Sequence, residues 1–243
     1  MKVVIIDQAR MTSTRLPEKV LKTVLGKPLL EYQIERLQRV ELADELVIAT
    51  TTNETDNPIV ELCDRAGVSY YRGSEEDVLA RYYGAAKEHQ ADVVVRVTSD
   101  CPLIDPKIID HVIQTYFDHQ CDYASNSLER TYPRGMDTEV FSFESLSQAY
   151  SDAIAKPDRE HVTPFLHQQP ERFKIIPVLN SENYSHHRWT VDTQEDFDLI
   201  KKILEAIYPQ QPHFTMYDCL DLLKAHPEWQ SINVHIEQKK YGE

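Results

Sequence analysis

The sequence predicts an α/β fold in which a mixed, mostly parallel sheet is flanked by helices. Three observations predict it. Strand-like and helix-like segments alternate through the first hundred residues. The runs at 3–6 and 93–97 are apolar without alternation, as strands covered on both faces must be. The chain has 243 residues, 41% of them hydrophobic, enough for one sizeable core. Residues 1–243 therefore read as a single domain.

Residues 2–6 form the leading strand. Pro28, whose fixed φ suits a first helical turn, opens a helix with Leu30, Ile34 and Leu37 on one face. A strand follows at 45–49, a helix at 58–66 stopped by Gly67, a short strand at 68–71 and a helix at 77–89. Residues 93–97 are a buried strand. Pro106 starts a helix whose Ile108, Ile109, Val112, Ile113, Tyr116 and Phe117 make a broad apolar stripe. From about 122 to about 184 the alternation gives way to turn-rich segments with one strand candidate at 138–143. This stretch reads as an inserted lobe for substrate and partner contacts. A short strand at 188–191 restores the rhythm, followed by an amphipathic helix to about 208 and a last helix at 216–225.

Twenty-six basic residues face forty acidic ones, a net charge of -14, which excludes a nucleic-acid surface built from general positive charge. No stretch approaches a membrane span, and the apolar run at 3–6 is too short for a targeting signal. Cys63, Cys101, Cys121 and Cys219 form no CxxC pair, so neither a disulfide framework nor a thiolate zinc site is expected, and a cytoplasmic setting is. Between residues 8 and 28 the charge balance reverses. Arg10, Arg15, Lys19, Lys22 and Lys27 meet one acid there, Glu18.

In the loop after the leading strand, Arg10, Arg15 and Lys19 supply charge and Thr12, Ser13 and Thr14 supply hydroxyls. A triphosphate needs such groups where no glycine-rich loop exists, and the six glycines form neither GxGxxG nor GxxxxGK[ST]. A solvated basic loop is the alternative, but the place at the carboxyl end of a strand favours phosphate. Asp100 and Asp192 each follow a strand candidate, so both carboxylates are expected on one sheet edge, where two of them plus phosphate oxygens make a magnesium site. Each is equally suited to capping a helix, and Thr193 with Asp196 forms a capping pair. Asp196-Phe197-Asp198 has the form of a DxD signature, yet residues two apart on a helix share no face. His186 and His187 lack a spaced metal partner, and His161 reads first as a structural histidine. Without GxSxG or an activated cysteine, covalent catalysis is not expected.

Four ordered motifs carry a resemblance: Gln8-Ala9-Arg10-Met11-Thr12-Ser13-Thr14-Arg15-Leu16-Pro17, Arg72-Gly73-Ser74-Glu75-Glu76-Asp77-Val78-Leu79, Arg96-Val97-Thr98-Ser99-Asp100-Cys101-Pro102-Leu103 and Arg188-Trp189-Thr190-Val191-Asp192-Thr193-Gln194-Glu195-Asp196. Together they resemble the SpsF-like cytidylyltransferases of spore coat polysaccharide synthesis, relatives of the acylneuraminate and 3-deoxy-manno-octulosonate enzymes. The likeness runs from the first strand to about residue 208.

The resemblance implies a nucleotide-diphospho-sugar transferase fold, Rossmann-like. It also implies transfer of CMP from CTP to a hydroxyl of a sugar or sugar acid, with release of pyrophosphate, for surface polysaccharide or glycoconjugate synthesis. It places Ala9, Arg10, Ser13, Arg15, Lys19, Arg72 and Asp100 at the nucleotide, with Arg10, Arg15, Lys19 and Asp100 catalytic. Asp100 and Asp192 fall on Mg2+, and Asp137, Glu139, His161 and Arg188 at the acceptor sugar. It implies a homodimer through the 122–184 lobe, which carries Tyr123, Tyr132, Met136, Phe141, Phe143, Tyr150, Phe165 and Leu166. Two positions depart from the family pattern: Glu18 and Ser99 stand where glycine is usual. Rival readings are a nucleotidyltransferase using another base or a sugar 1-phosphate, and a catalytically silent nucleotide-sugar binder.

Overall fold

The computed structural model describes residues 1–238. In chain order the strands are Val3–Gln8 (β1), Thr23–Val24 (β2), Lys27–Pro28 (β3), Glu45–Thr51 (β4), Ser69–Gly73 (β5), Val93–Thr98 (β6), Tyr123–Ser125 (β7), Glu139–Ser142 (β8) and Ile175–Pro177 (β9). The α-helices are Leu29–Leu37 (α1), Asn57–Ala66 (α2), Val78–Glu88 (α3), Pro106–His119 (α4), Phe143–Asp152 (α5), Lys156–His161 (α6), Pro164–His167 (α7), Gln194–Ile207 (α8) and Met216–Ala225 (α9). Seven strands form one sheet in the order β5-β4-β1-β6-β8-β7-β9, and β2 and β3 form a separate ribbon.

Strands β5, β4, β1 and β6 run parallel, and β8 is antiparallel to both of its neighbours. The expected mixed, mostly parallel sheet is thus present. Both faces are covered, which explains the unbroken apolar runs. Val3, Ile5, Val93 and Val95 pack with Leu30, Ile34, Ile109 and Val112 on one side. Val4, Ile6 and Val94 pack with Leu79, Tyr82 and Ala85 on the other. From β1 the chain moves outward to β4 and β5, then returns to lay β6 on the opposite flank of β1. That reversal opens a crevice beyond the carboxyl ends of β1 and β6, the place where such sheets bind ligands.

Residues 122–184 do not interrupt the sheet; they lengthen it by β7, β8 and β9. Much of the apolar bulk that suggested a partner surface is used internally. Tyr123, Tyr132, Met136, Phe141 and Leu166 are buried, and Phe143 and Phe165 pack partly against the core. Tyr150 and Ile154 are the exposed apolar side chains of α5 and the turn after it.

The strand expected at 188–191 is not formed. Arg134 and Arg188 make a single parallel bridge, with Trp189 N donating to Arg134 O at 2.7 Å. The ladder stops there because Gly135 turns away at φ 107, while Val191 N donates to Asp100 O at 2.8 Å instead. Only glycine fits at 135: a Cβ would lie 2.7 Å from the Trp189 carbonyl carbon. Asp192 therefore leaves from a loop outside the sheet. That loop rests on a third cluster in which Trp189 and Val191 pack with Ile200, Leu204, Met216 and Leu220 of α8 and α9.

Candidate active site

The loop 9–19 leaves β1 at the crevice and wraps back across it. Met11 N donates to buried Asp56 at 2.8 Å, and Thr12 and Arg10 meet Glu75, which also accepts from Asn53. These contacts tie the loop to the segments after β4 and β5. A cavity of about 250 Å³ lies beneath it, lined by Ala9, Arg10, Ser13, Arg15, Lys19 and Asp100, together with Arg81, Thr98, Ser99 and Asp192.

At its floor the Lys19 ammonium sits between two carboxylates, 3.0 Å from Asp100 Oδ2 and 2.8 Å from Asp192 Oδ1. Arg15 and Arg188 meet the other Asp192 oxygen at 2.8 and 3.0 Å. Burial alone would raise the Asp100 carboxyl, but the Lys19 ammonium and the Thr98 hydroxyl bring it down to about 2. Burial likewise works against the Lys19 charge, and the two carboxylates more than offset it, raising its pKa. Behind the site, Asp7 is fully buried on β1, and burial followed by the Asp100 charge pushes its pKa well up. Gln33 of α1 joins these groups: its amide N–H reaches Asp7 and Thr98 O, and its oxygen accepts from Cys101 N.

A second cavity, about 590 Å³, opens on the side of β8 and α6. It shares Arg15, Thr98, Asp100, Glu160 and Asp192 with the first. Its wall carries Asp137 paired with Arg130, and Glu139 paired with Arg96 and hydrogen-bonded by Tyr123 and Thr163. Burial would raise the Glu139 pKa, but Arg96 keeps it below the usual range. Arg134 also faces this cavity, and its guanidinium makes no hydrogen bond or ion pair with a described residue.

The family profile for cytidylyltransferases matches residues 3–229. The chain is a member of the cytidylyltransferase family. A solved cytidylyltransferase from Leptospira borgpetersenii is 34% identical with a TM-score of 0.91, and the match covers 99% of each chain. The spore coat polysaccharide biosynthesis protein SpsF of Bacillus subtilis is 32% identical over 93% of this chain and 95% of its own. A CMP:2-keto-3-deoxy-manno-octonic acid synthetase solved with CTP shares the fold at 17% identity and a TM-score of 0.66, over 84% of this chain and all but 1% of its own.

In this cytidylyltransferase the structure brings Ala9, Arg10, Ser13, Arg15, Lys19 and Asp100 together at the first cavity and adds Asp192. Asp137, Glu139 and His161 line the second. Two expected site residues lie elsewhere. Arg72 donates to Thr51 O, Asn53 O and Asn57 Oδ1, bracing the segment after β4 outside both cavities. Arg188 does not line the second cavity; its guanidinium holds Asp192 and Asp196. Asp196 and Asp198 diverge as helical spacing requires, the first buried in the capping box, the second bonded to Gln194 at the surface. The His186 and His187 rings lie in tilted contact, and His187 lies likewise against Trp189.

Sequence reasoning missed Asp7, Gln33 and Arg81. Arg81 carried a readable signal, a cation within the apolar stripe of α3 that includes Val78, Leu79 and Tyr82. Glu18 proves to be a backbone matter. Its φ is 58 and its side chain is exposed, outside the cavity, so the departure from glycine places no charge among the groups that line it.

Proposed function

We propose that this cytidylyltransferase transfers CMP from CTP to a hydroxyl of a sugar acid, using magnesium held by Asp100 and Asp192. One observation carries the reading: the two cavities meet at these two carboxylates, so a triphosphate in one and an acceptor in the other place their reacting atoms together. The fit to a metal rests on the donor set. Both carboxylates already converge on one cation, the Lys19 ammonium, at 3.0 and 2.8 Å. Among the described residues no group of three or more His, Cys, Asp or Glu side chains gathers to hold a metal. That suits magnesium, which takes few protein ligands and completes its shell with water and phosphate. Bound there, it would polarise the α-phosphate and lower the pKa of the attacking hydroxyl.

The chain's own groups account for the rest. Arg10, Arg15 and Lys19 bind the triphosphate, with Lys19 exchanging its carboxylates for β- and γ-phosphate oxygens, and they offset the charge gathering on the leaving pyrophosphate. Asp137, Glu139 and His161 face the acceptor. Arg134, which lines this cavity and forms no direct ion pair with the nearby Asp137 or Asp192, supplies the positive charge that selects a carboxylate. The fold family's sugar-acid member supports that choice.

Pyrophosphate release tests the reading, with each of CTP, UTP, ATP and GTP offered alongside sugar acids, amino sugars and sugar 1-phosphates. Turnover is expected with CTP and a sugar acid. Turnover only with UTP, or only with a sugar 1-phosphate, would move the protein to another class of nucleotidyltransferase. Arg134→Ala should raise the acceptor KM about tenfold and leave the CTP KM unchanged. The same proposal includes a homodimer, supported by exposed Tyr150 and Ile154, for which light scattering should give twice 28.2 kDa. It also includes a cytoplasmic setting, supported by four buried cysteines that form no disulfide. No helix among the described residues is long and apolar enough to cross a membrane.

A further inference from the structure

The segment 188–196, a loop running into the first turn of α8, carries Asp192 at its middle and is closed from outside by a segment far along the chain. Asn233 is buried, at 3% exposure, and both N–H bonds of its amide are used on residues 188–196. One reaches Arg188 O at 2.9 Å, where that stretch begins, and the other reaches Asp196 Oδ1 at 2.8 Å, where it ends. Five residues on, Gln238 Oε1 accepts from Arg188 NH1 at 2.6 Å and reaches the rim of the acceptor cavity.

The Arg188 guanidinium is thereby held at all three nitrogens. Nε goes to Asp196, NH2 to Asp196 and Asp192, and NH1 to Gln238. Asp196 in turn accepts from Arg188, Asn233 and the backbone N–H groups of Asp192 and Thr193. Asn233 and Gln238 both lie past residue 229, where the family match ends.

We propose that the segment 233–238 belongs to the active site, with Asn233 and Gln238 as positioning residues that fix Asp192 for its metal through Arg188 and Asp196. The inference rests on the metal role proposed for Asp192. Physically, Asp192 has no sheet to hold it, so side-chain hydrogen bonds must supply the rigidity that a strand supplies elsewhere, and groups of this kind set the orientation of a ligating carboxylate.

The test uses the full chain with Asn233→Ala and, separately, Gln238→Ala. Manganese is titrated in the presence of CTP, with bound metal followed by electron paramagnetic resonance, and kcat is measured across magnesium concentration. Asn233→Ala is expected to weaken the metal midpoint about tenfold and lower kcat at subsaturating magnesium. Gln238 is exposed, so Gln238→Ala folds whatever Asn233→Ala does, and a weakening of about threefold is expected. Ile109→Ala, buried in α4 in the first core cluster and away from the network, supplies the control: it should lower Tm without moving the metal midpoint. Wild-type metal midpoints in both variants would overturn the inference while leaving the proposed function intact. A wild-type protein that binds no metal with CTP would end the reading of Asp192 itself, and this inference with it.

Discussion

Asp100 and Asp192 meet at one ammonium, yet they are delivered in opposite ways. Asp100 follows β6, and backbone bonds fix it on both sides: Ser99 N donates to Gln8 O, and Cys101 N to Gln33. Its local side-chain support is light, the Thr98 hydroxyl at 2.7 Å and the Cys101 thiol at 3.4 Å, both on Oδ1. Asp192 belongs to no strand, and its carboxylate is held by Arg15 and Arg188, the latter locked by Asp196. One half of the site is therefore built by sheet geometry and the other by a buried charge network. Strand positions tolerate loss of a supporting side chain, whereas a buried network fails when any member leaves a charge unpaired.

The largest expected effect treats the halves alike. Asp100→Asn and Asp192→Asn should each lower kcat about 100- to 1000-fold with the fold retained, since each removes a charged ligand from the proposed two-carboxylate magnesium site. Steady-state assays with circular dichroism on the purified variants check this, and near-wild-type rates in either would remove that residue from the metal site.

The comparison itself is tested one step back. Arg188→Met should cost about 10- to 100-fold in turnover and about 3–5 kcal/mol in stability, because Asp196 is left buried and unpaired at 0% exposure. Thr98→Val should cost less than about tenfold and little stability, since the strand still aims Asp100. Urea melts and kinetics on the two variants decide it. Equal losses would mean that the sheet does no more for Asp100 than the network does for Asp192.

Lys19 joins the halves, and its removal reads out in pH and in ligand. The Asp100 carboxyl is depressed to about 2 in the folded protein and lies near 3.9 when unfolded, so the stability it contributes is full above about pH 4 and drains as pH falls toward 2. Lys19→Ala should raise that carboxyl and shrink the window, visible as a flatter dependence of stability on acid pH. The same variant, and Arg15→Ala, should weaken CTP binding about tenfold and CMP binding less, as charges that address the β- and γ-phosphates must. Calorimetry with both nucleotides separates the two outcomes, and equal losses would move Lys19 away from the terminal phosphates.

How far each half could be read from sequence follows the same division. Local patterns exposed the Asp100 half: an apolar run, then an acid, at the edge where ligands bind. Asp192 was read by the same pattern, as an acid following a strand at 188–191, but that strand does not form, because Trp189 and Val191 are apolar for the sake of the third core cluster, not of a sheet. Arg188 was taken for an acceptor contact since nothing local shows that its partners are Asp196 and a residue as distant as Gln238. The capping box of Thr193 and Asp196 was legible, being four residues long. The second duty of Asp196, anchoring Arg188, was not.

Glu18 gives the smallest and cleanest test, because it separates backbone from charge in the loop that serves both halves. It holds φ 58, ψ 17 immediately before Lys19, a left-handed conformation that costs a residue with a Cβ about 1 kcal/mol and costs glycine almost nothing. The strain persists because Glu18 N donates to Met11 O and Leu21 N to Glu18 O, which close the loop on both sides of the residue. Glycine adds freedom to the unfolded chain, which removes part of the gain. Glu18→Gly should still stabilise the protein by up to about 1 kcal/mol, a rise of about 2–4 °C in Tm for a chain of this size. Because the Glu18 side chain lies outside the cavity, kcat and the CTP KM should stay within about twofold of wild type. Glu18→Gln keeps the strain and removes the charge, so it should change neither Tm nor KM. If Glu18→Gln and Glu18→Gly instead both tightened CTP binding to the same extent, the departure at this position would be electrostatic and the backbone account would fail.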